Sequence, residues 1–140
     1  MVNNPWGIKI FLLIILHCIY FNSFSQEKKR VTILHADFLE ADENIAKNAN
    51  RLIGNVNIQH ENILMWCDSA YTYTGTNRVD AFGNVHIIQG DTLHLYANKI
   101  FYNGDISFAQ AIGNVKLVNK TTNLFTDTLD YDLASNIAYY

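Results

Sequence analysis

Four histidines are the residues of this chain best suited to acid–base or metal chemistry. His35, His60, His86 and His94 would need to converge in the fold to form a metal site or a catalytic base. When the repeated segments described below are aligned, His35 falls among aromatic residues, namely Trp66, Tyr96 and Phe125. His86 falls in a solvated polar column with Asn57 and Lys116. Packing and solvation explain these positions, so we expect no metal site.

Asp127, Asp130 and Asp132 suggest a calcium site, because carboxylate oxygens are the ligands that calcium prefers. No glycine-bearing ligand loop accompanies them, and a solvated strand end accounts for them better. No Ser-His-Asp or paired-carboxylate arrangement follows from the spacing of the other residues. The sequence therefore favours a protein that is not an enzyme and that has no metal or cofactor.

The same short phrase occurs three times, as GNVNI, GNVHI and GNVKL, beginning at Gly54, Gly83 and Gly113. A second phrase precedes or follows each copy and carries an acidic or amide residue at a matching position: Asp37, Asp68, Asn98 and Asp127. A fixed period of about 30 residues is typical of repeat architectures. Each unit holds two alternating segments separated by turn residues, which predicts two strands per repeat and an all-β fold.

Alternation also predicts which side chains share a face. Strand side chains point to opposite faces in turn, so one face of the stacked repeats should be apolar. The residues expected to line this apolar trough are Val56, Ile58, Met65, Val85, Ile87, Leu95, Val115, Leu117 and Leu124. Glycine inside a strand marks a bulge or bend, so Gly54, Gly83 and Gly113 are interpreted as the place where long strands fold across the molecule. Cys67 falls in a column of small residues and is expected to be a buried, unreactive thiol.

The first 25 residues have the pattern of a secretory signal peptide. Lys9 precedes an apolar run from Ile10 to Phe21, and small residues at Ser23 and Ser25 follow. The run is shorter than the ~20 residues that a membrane-spanning helix needs. We therefore expect residues 1–25 to be removed and residues 26–140 to form one β domain. The next repeat phrase would begin just past Tyr140, so we expect this domain to be truncated at its C-terminal end.

Charge excludes one class of partner. The formal net charge is −3, and loss of the leader with Lys9 makes the mature chain one unit more negative. A mildly acidic chain without basic clusters gives no electrostatic support for binding nucleic acid.

The two phrases resemble the OstA-like family, which includes the lipopolysaccharide-transport protein LptA and the N-terminal domain of LptD. The resemblance lies in Leu34–Ala36–Asp37, in Leu95–Ala97–Asn98 with Phe101, and in the segments Ala81–Ile87 and Ala111–Leu117. It extends from about Val31 to Tyr140. Cys67 and Thr126 depart from it where a small alanine is usual, and Glu40 stands where an aromatic residue is usual.

The resemblance implies a slightly open β-jellyroll whose apolar interior holds the acyl chains of lipid A in the periplasm, at or near the outer membrane. It also implies edge-to-edge docking with other jellyroll proteins of a lipopolysaccharide-transport bridge, and head-to-tail self-association. An exported structural scaffold or adhesin with no ligand is the alternative, because stacked β repeats also build solid cores. Small inward residues such as Ala81, Ala97 and Ala111 favour a trough with room for a guest.

Overall fold

A computed structural model describes Trp6, residues 29–41 and residues 48–140. The predicted signal peptide, apart from Trp6, lies outside the described residues and stays a prediction. The described part of the chain folds into β1 (Thr32–His35), β2 (Phe38–Ala41), β3 (Ala49–His60), β4 (Ile63–Tyr73), β5 (Arg78–Gln89), β6 (Leu93–Asn103), β7 (Phe108–Asn119), β8 (Thr122–Asp132) and β9 (Ile137–Tyr139). None of the described residues belongs to a helix long and apolar enough to cross a bilayer.

The strands form one antiparallel sheet in which each strand from β3 to β8 pairs with the next along the chain. β1 and β2 both pair with β3 and together make one interrupted edge strand, broken at Ala36 and Asp37. The repeats therefore build a single continuous sheet. Short turns join neighbouring long strands, so the hydrogen-bonded ladder continues from one repeat into the next.

One face of this sheet carries the core. On β5, the buried positions before and after the repeated glycine are Ala81 and Val85, four residues apart. On β4, the matching buried positions are Cys67 and Ala70, only three residues apart. An extra residue in one strand is the definition of a β-bulge. The register shifts at this level in every pairing from β3–β4 to β7–β8, which marks a line across the sheet that we call the crease.

The sheet is rolled so that its two halves, one on each side of the crease, meet at the strand ends. The first end carries the turns at 61–62, 90–92 and 120–121, and the second end carries those at 74–77, 104–107 and 133–136. Nδ1 of His60, at the first end of β3, lies 2.7 Å from the Tyr102 hydroxyl, at the second end of β6. Nε2 of Gln89, at the first end of β5, donates to the Leu133 carbonyl beyond β8 at 3.1 Å. Each contact joins strands that are three apart in the sheet.

Candidate functional site

The apolar face contains a row of side chains that runs across the long strands. Neighbouring members are paired in register from β3 to β8: Ile58, Met65, Ile87, Leu95, Leu117 and Leu124. We call these residues the inner row. The nominated valines, Val56, Val85 and Val115, lie beside it at the crease. The row is continuous because every strand places an aliphatic side chain at this level.

Eight of the nine nominated residues are buried, with exposed fractions between 0 and 4%. Leu124, on β8, is half-buried and packs against the edge of this core. All nine lie on the same side of the crease. The facing half supplies large side chains that the sequence analysis did not nominate, among them Leu52, Ile100, Leu129 and Tyr131. The three-residue spacing seen on β4 recurs on β6 and β8, and it hides Ile100, Leu129 and Tyr131 from a simple alternation pattern because it reverses which residues point inward.

The repeated glycines lie where the register shifts. Gly54, Gly83 and Gly113 have φ angles of 78°, 75° and 81°, and the asparagine after each also has a positive φ. A side chain from the preceding strand lies directly on each glycine. A Cβ at Gly83 would overlap the Asp68 carboxylate, and one at Gly113 would lie 2.8 Å from Nδ2 of Asn98. Only glycine satisfies both the backbone conformation and this close approach.

In the first two repeats, the asparagine after the glycine completes the contact. Nδ2 of Asn55 donates to Oδ2 of Asp37 at 2.9 Å, and Nδ2 of Asn84 donates to Oδ2 of Asp68 at 2.8 Å. The carboxylate therefore packs against the glycine, whose lack of a side chain leaves space for it, and accepts a hydrogen bond from the asparagine amide. We call this arrangement the peg contact. It explains why an acidic or amide column and a Gly-Asn column recur together in the sequence.

The two sides of the sheet end in exposed apolar strands. At the β1–β2 edge, Leu34, Phe38 and Leu39 are exposed. At the other side, β9 pairs with β8 only at Asp130, Tyr131 and Asp132. Within the described part of the chain, the outer edge of β8 from Thr122 to Leu129 has no strand beside it. Unpaired edges with exposed apolar side chains are suited to adding another strand.

A model of the OstA-like protein family matches residues 28–140, which is most of the chain. The chain belongs to the OstA-like family. Among curated proteins, none matches this OstA-like chain.

The fold is also found in a solved structure. The crystal structure of LptH from Pseudomonas aeruginosa, described as the LptA-homologous periplasmic component of the conserved lipopolysaccharide transport device, superimposes with a TM-score of 0.69. The two chains are 16% identical, and the alignment covers 82% of this chain and 84% of that one. This similarity confirms the predicted all-β jellyroll.

In the OstA-like chain, the histidines considered for acid–base or metal chemistry lie outside the inner row. His86 is half-buried on the outer face, stacked on Tyr96 at 4.1 Å between ring centroids, with Nε2 3.1 Å from Nδ1 of His94. Burial, and secondly the charge of His94, lowers the pKa of His86. His35 lies near the crease and contacts Asp37, whereas His60 is buried at a strand end. Among the described residues, no three metal-ligating side chains form a group that could hold an ion.

The remaining candidates have structural explanations. Oδ1 of Asp130 accepts from Gln110, and Oδ1 of Asp132 accepts from the backbone N–H groups of Ala134 and Ser135, which forms a turn. Cys67 is buried in the small-residue column as predicted, and burial raises the pKa of its thiol to about 12. A thiol with so high a pKa stays protonated at neutral pH and is a poor nucleophile.

Sequence reasoning did not identify the polar residues that close the strand ends. His60 can donate a hydrogen bond from Nε2 to the Lys29 carbonyl, 3.1 Å away, and in that tautomer Nδ1 accepts a hydrogen bond from the Tyr102 hydroxyl. Asn77, also buried, accepts from the Val31 N–H and donates to the Lys29 carbonyl. The signal available in the sequence was weak, since these residues stand in turn or strand-end positions where polar types are common.

Proposed function

We propose that this OstA-like chain is a periplasmic lipopolysaccharide-binding and transport module. Its apolar interior would hold the acyl chains of lipid A, and its edge strands would dock with similar jellyrolls. Membership of the family supports this proposal, as does the shared fold with LptH, which is described as a component of a lipopolysaccharide transport device. Periplasmic location further depends on the predicted signal peptide at residues 1–25.

The observation that carries the proposal is the inner row. Its six members are all aliphatic or thioether side chains, and they pair in register from Ile58 on β3 to Leu124 on β8. Burial of a methylene group contributes ~0.8 kcal/mol wherever it occurs along such a row, because the hydrophobic effect has no preferred direction. A lipid chain could therefore shift along the row without breaking specific bonds, which suits transport.

Binding requires the two halves of the roll to separate, because the described interior is filled by its own side chains. The half-buried Leu124 at the β8 edge is the natural point of entry, since it joins the inner row to solvent. Small buried residues on both sides of the crease, including Ala81, Ala97 and Ala111, limit how far the halves must move. Acyl chains would then replace contacts that the two halves otherwise make with each other.

Site-specific photo-crosslinking tests the proposal. A diazirine amino acid of the size of leucine replaces Leu117 or Leu124 on the inner face, and matched probes replace the outer-face neighbours Lys116 and Phe125. After labelling with lipopolysaccharide, we expect adducts at the inner positions and none at the outer ones. A probe at Ile87 should behave like Leu117, with His86 as its outer control.

A structural scaffold remains the second candidate, and the filled interior favours it. A solid-cored repeat protein would bury Ile87, Leu95 and Leu117 to the same extent without holding a ligand. The crosslinking experiment separates the two functions. Equal labelling of both faces, or no labelling of either, would contradict the lipid-binding proposal and leave the scaffold.

A further inference from the structure

A cavity of about 180 Å³ lies between the two halves of the roll at its β1 side. Ile33 on β1 lines it from the first half, and Thr72 on β4 lines it from the facing half. Ile33 pairs with Ile58 and therefore extends the inner row by one strand, because directly opposed residues of paired strands share a face. The interior thus has an opening at the β1 side of the sheet in addition to the one at Leu124.

The cavity exists because Thr72 is small. Thr72 pairs through Val79 with Tyr102, and Tyr102 pairs through Ala109 with Tyr131, so these residues form one row across the sheet. Both tyrosines are buried and fill the interior at this level. Thr72 is only 8% exposed, yet its hydroxyl makes no hydrogen bond to any described residue. On β4 this row therefore leaves a space and a polar group without a partner in the described part of the chain.

Two arginines line the same cavity, Arg30 before β1 and Arg78 at the start of β5. The buried Asn77 brings them together, because it precedes Arg78 in the chain and bonds to the residues on both sides of Arg30. Oδ1 of Asn77 accepts from the Val31 N–H at 3.0 Å, and Nδ2 donates to the Lys29 carbonyl at 3.2 Å. The backbone at Arg30 is therefore held in place beside the cavity.

The charges around the cavity favour an anion. Neither guanidinium forms an ion pair with an acidic side chain of the described residues. Asp80, two positions after Arg78, accepts instead from the Tyr73 hydroxyl at 2.6 Å. Two cations that line one cavity, in a chain with a formal net charge of −3, create a local positive potential.

Phosphate is the anion that fits this arrangement. Arginine can bind a phosphate group through two parallel N–H donors, and a hydroxyl can donate to a further oxygen. The space is sufficient for such a group, because one water molecule accounts for only ~30 Å³ of the liquid.

We propose that Arg30, Arg78 and Thr72 form a binding site for a phosphomonoester. The arginines would bind the phosphate oxygens, and the Thr72 hydroxyl would donate to one of them. Because Ile33 joins the cavity to the inner row, the site fits the phosphate group of an amphiphile whose acyl chain lies along that row. This inference deepens the proposed function and depends on it for the identity of the amphiphile as a lipid, whereas phosphate binding itself does not.

Calorimetric titration with octyl phosphate, below its critical micelle concentration, tests the site. We expect octyl phosphate to bind, and we expect octanol to bind at least about tenfold more weakly because it lacks the charged group. Arg30→Gln and Arg78→Gln should each weaken octyl phosphate binding by about tenfold and leave octanol binding unchanged. Arg51→Gln is the matched control and should bind normally, because Arg51 is exposed, contacts Glu40 and does not line the cavity.

A substitution that fills the cavity tests the space itself. Thr72→Tyr introduces the residue type that the second and third repeats carry at this level, so we expect the variant to fold and to lose octyl phosphate binding. Thr72→Val removes only the hydroxyl and should weaken binding by less than either arginine variant. Circular dichroism checks the fold of each variant, and the NMR resonance of the Thr72 methyl group should shift when octyl phosphate is added to the wild type.

Inorganic phosphate distinguishes a lipid headgroup from free phosphate. If the ligand is a headgroup, octyl phosphate binds more tightly than inorganic phosphate, and Ile33→Ser weakens only the binding of octyl phosphate. Equal affinities for the two ligands, with no effect of Ile33→Ser, would show that the site takes free phosphate and would overturn its connection to the inner row.

Absence of octyl phosphate binding, equal binding of octyl phosphate and octanol, or equal binding by wild type and the double variant Arg30→Gln/Arg78→Gln would overturn the inference. Failure of the proposed function is decided separately, by lipid labelling of the inner face. Lipid adducts at Leu117 without phosphate-dependent binding would remove only the phosphate site. Phosphate-dependent binding without lipid adducts would leave a phosphate site in a structural scaffold.

Discussion

The three repeated glycines show how a single residue can determine the geometry of this sheet. Gly83 is required for two separate reasons, namely a φ of 75° and the Asp68 side chain that lies against its Cα. Gly75, in the turn between β4 and β5, has a similar φ of 82° but no atom within 4 Å of an added Cβ. Comparing Gly75 with Gly83 therefore separates the effect of a positive φ from the effect of the close side-chain contact.

Replacement of these two glycines gives the first residue-scale prediction. Gly75→Ala should lower the free energy of unfolding by roughly 1–2 kcal/mol, because alanine is disfavoured at positive φ. Gly83→Ala should lower it by about 1 kcal/mol more, because its methyl group must also displace Asp68. Urea denaturation measures both values, and the double variant Asp68→Ala/Gly83→Ala should recover part of the additional loss. Equal losses for the two single variants would show that the close approach costs nothing.

At the scale of the strand, the outer face carries a second cross-strand row. Its side chains are aromatic or basic, whereas those of the inner row are aliphatic or thioether. Trp66, His86, Tyr96, Lys116 and Phe125 are paired in register from β4 to β8. Rings stack along part of it, and Nζ of Lys116 lies 5.8 Å from the Tyr96 ring and 5.7 Å from the Phe125 ring. Pairs of this kind contribute a few tenths to about 1 kcal/mol each, so the row stabilises the sheet from outside.

The row contains a histidine, which makes its contribution depend on pH. The folded state lowers the pKa of His86 below its ordinary value, so its neutral form is favoured by folding. The associated stability is present above about pH 6.5, the ordinary pKa of histidine, and is lost as pH falls toward the lowered value. His86→Asn should flatten the decrease in unfolding free energy between neutral and mildly acidic pH.

The second cause of this shift can be removed separately. His94→Asn should raise the pKa of His86 part of the way toward its ordinary value, because burial remains. NMR titration of His86 measures the change. A pKa that does not move would show that the charge of His94 has no influence.

The strand-scale features could largely be predicted from the sequence, because they are local. Alternation identified the inward positions of β3, β5 and β7, and the aligned phrases identified the acidic and glycine columns. The inward residues beyond Asp68, such as Ala70 and Thr72, were hidden because the spacing changes there from two residues to three. The rolled single sheet was hidden too, since contacts such as His60–Tyr102 depend on how far the sheet coils, and no local pattern encodes that distance.

At the scale of the whole molecule, the closure of the roll connects stability to the proposed lipid uptake. Tyr102 joins the two halves through His60, and burial raises the pKa of its hydroxyl, which keeps it a donor. Tyr102→Phe would leave the buried Nδ1 of His60 without a partner. We expect a loss of about 1–3 kcal/mol in unfolding free energy. Tyr73→Phe, which removes a less buried hydroxyl that donates to Asp80, is the matched control and should cost less.

If the halves separate to admit acyl chains, the same change should also affect loading. We expect Tyr102→Phe to increase the yield of lipid adducts at a Leu117 probe relative to Tyr73→Phe. A lower unfolding free energy with an unchanged adduct yield would mean that this strand end does not open during uptake.

The coiling of the sheet also has a consequence for the order in which the chain can mature. The contacts that close successive turns of the roll join residues 46, 42 and 44 positions apart, at Val31–Asn77, His60–Tyr102 and Gln89–Leu133. A polypeptide that emerges from its amino terminus can therefore complete the first turn once Asn77 is available, and each later turn must wait for two more strands. The roll would therefore assemble in order from its amino-terminal turn. Each new strand would lack its closing contact until the strand three places further along the sheet had been added.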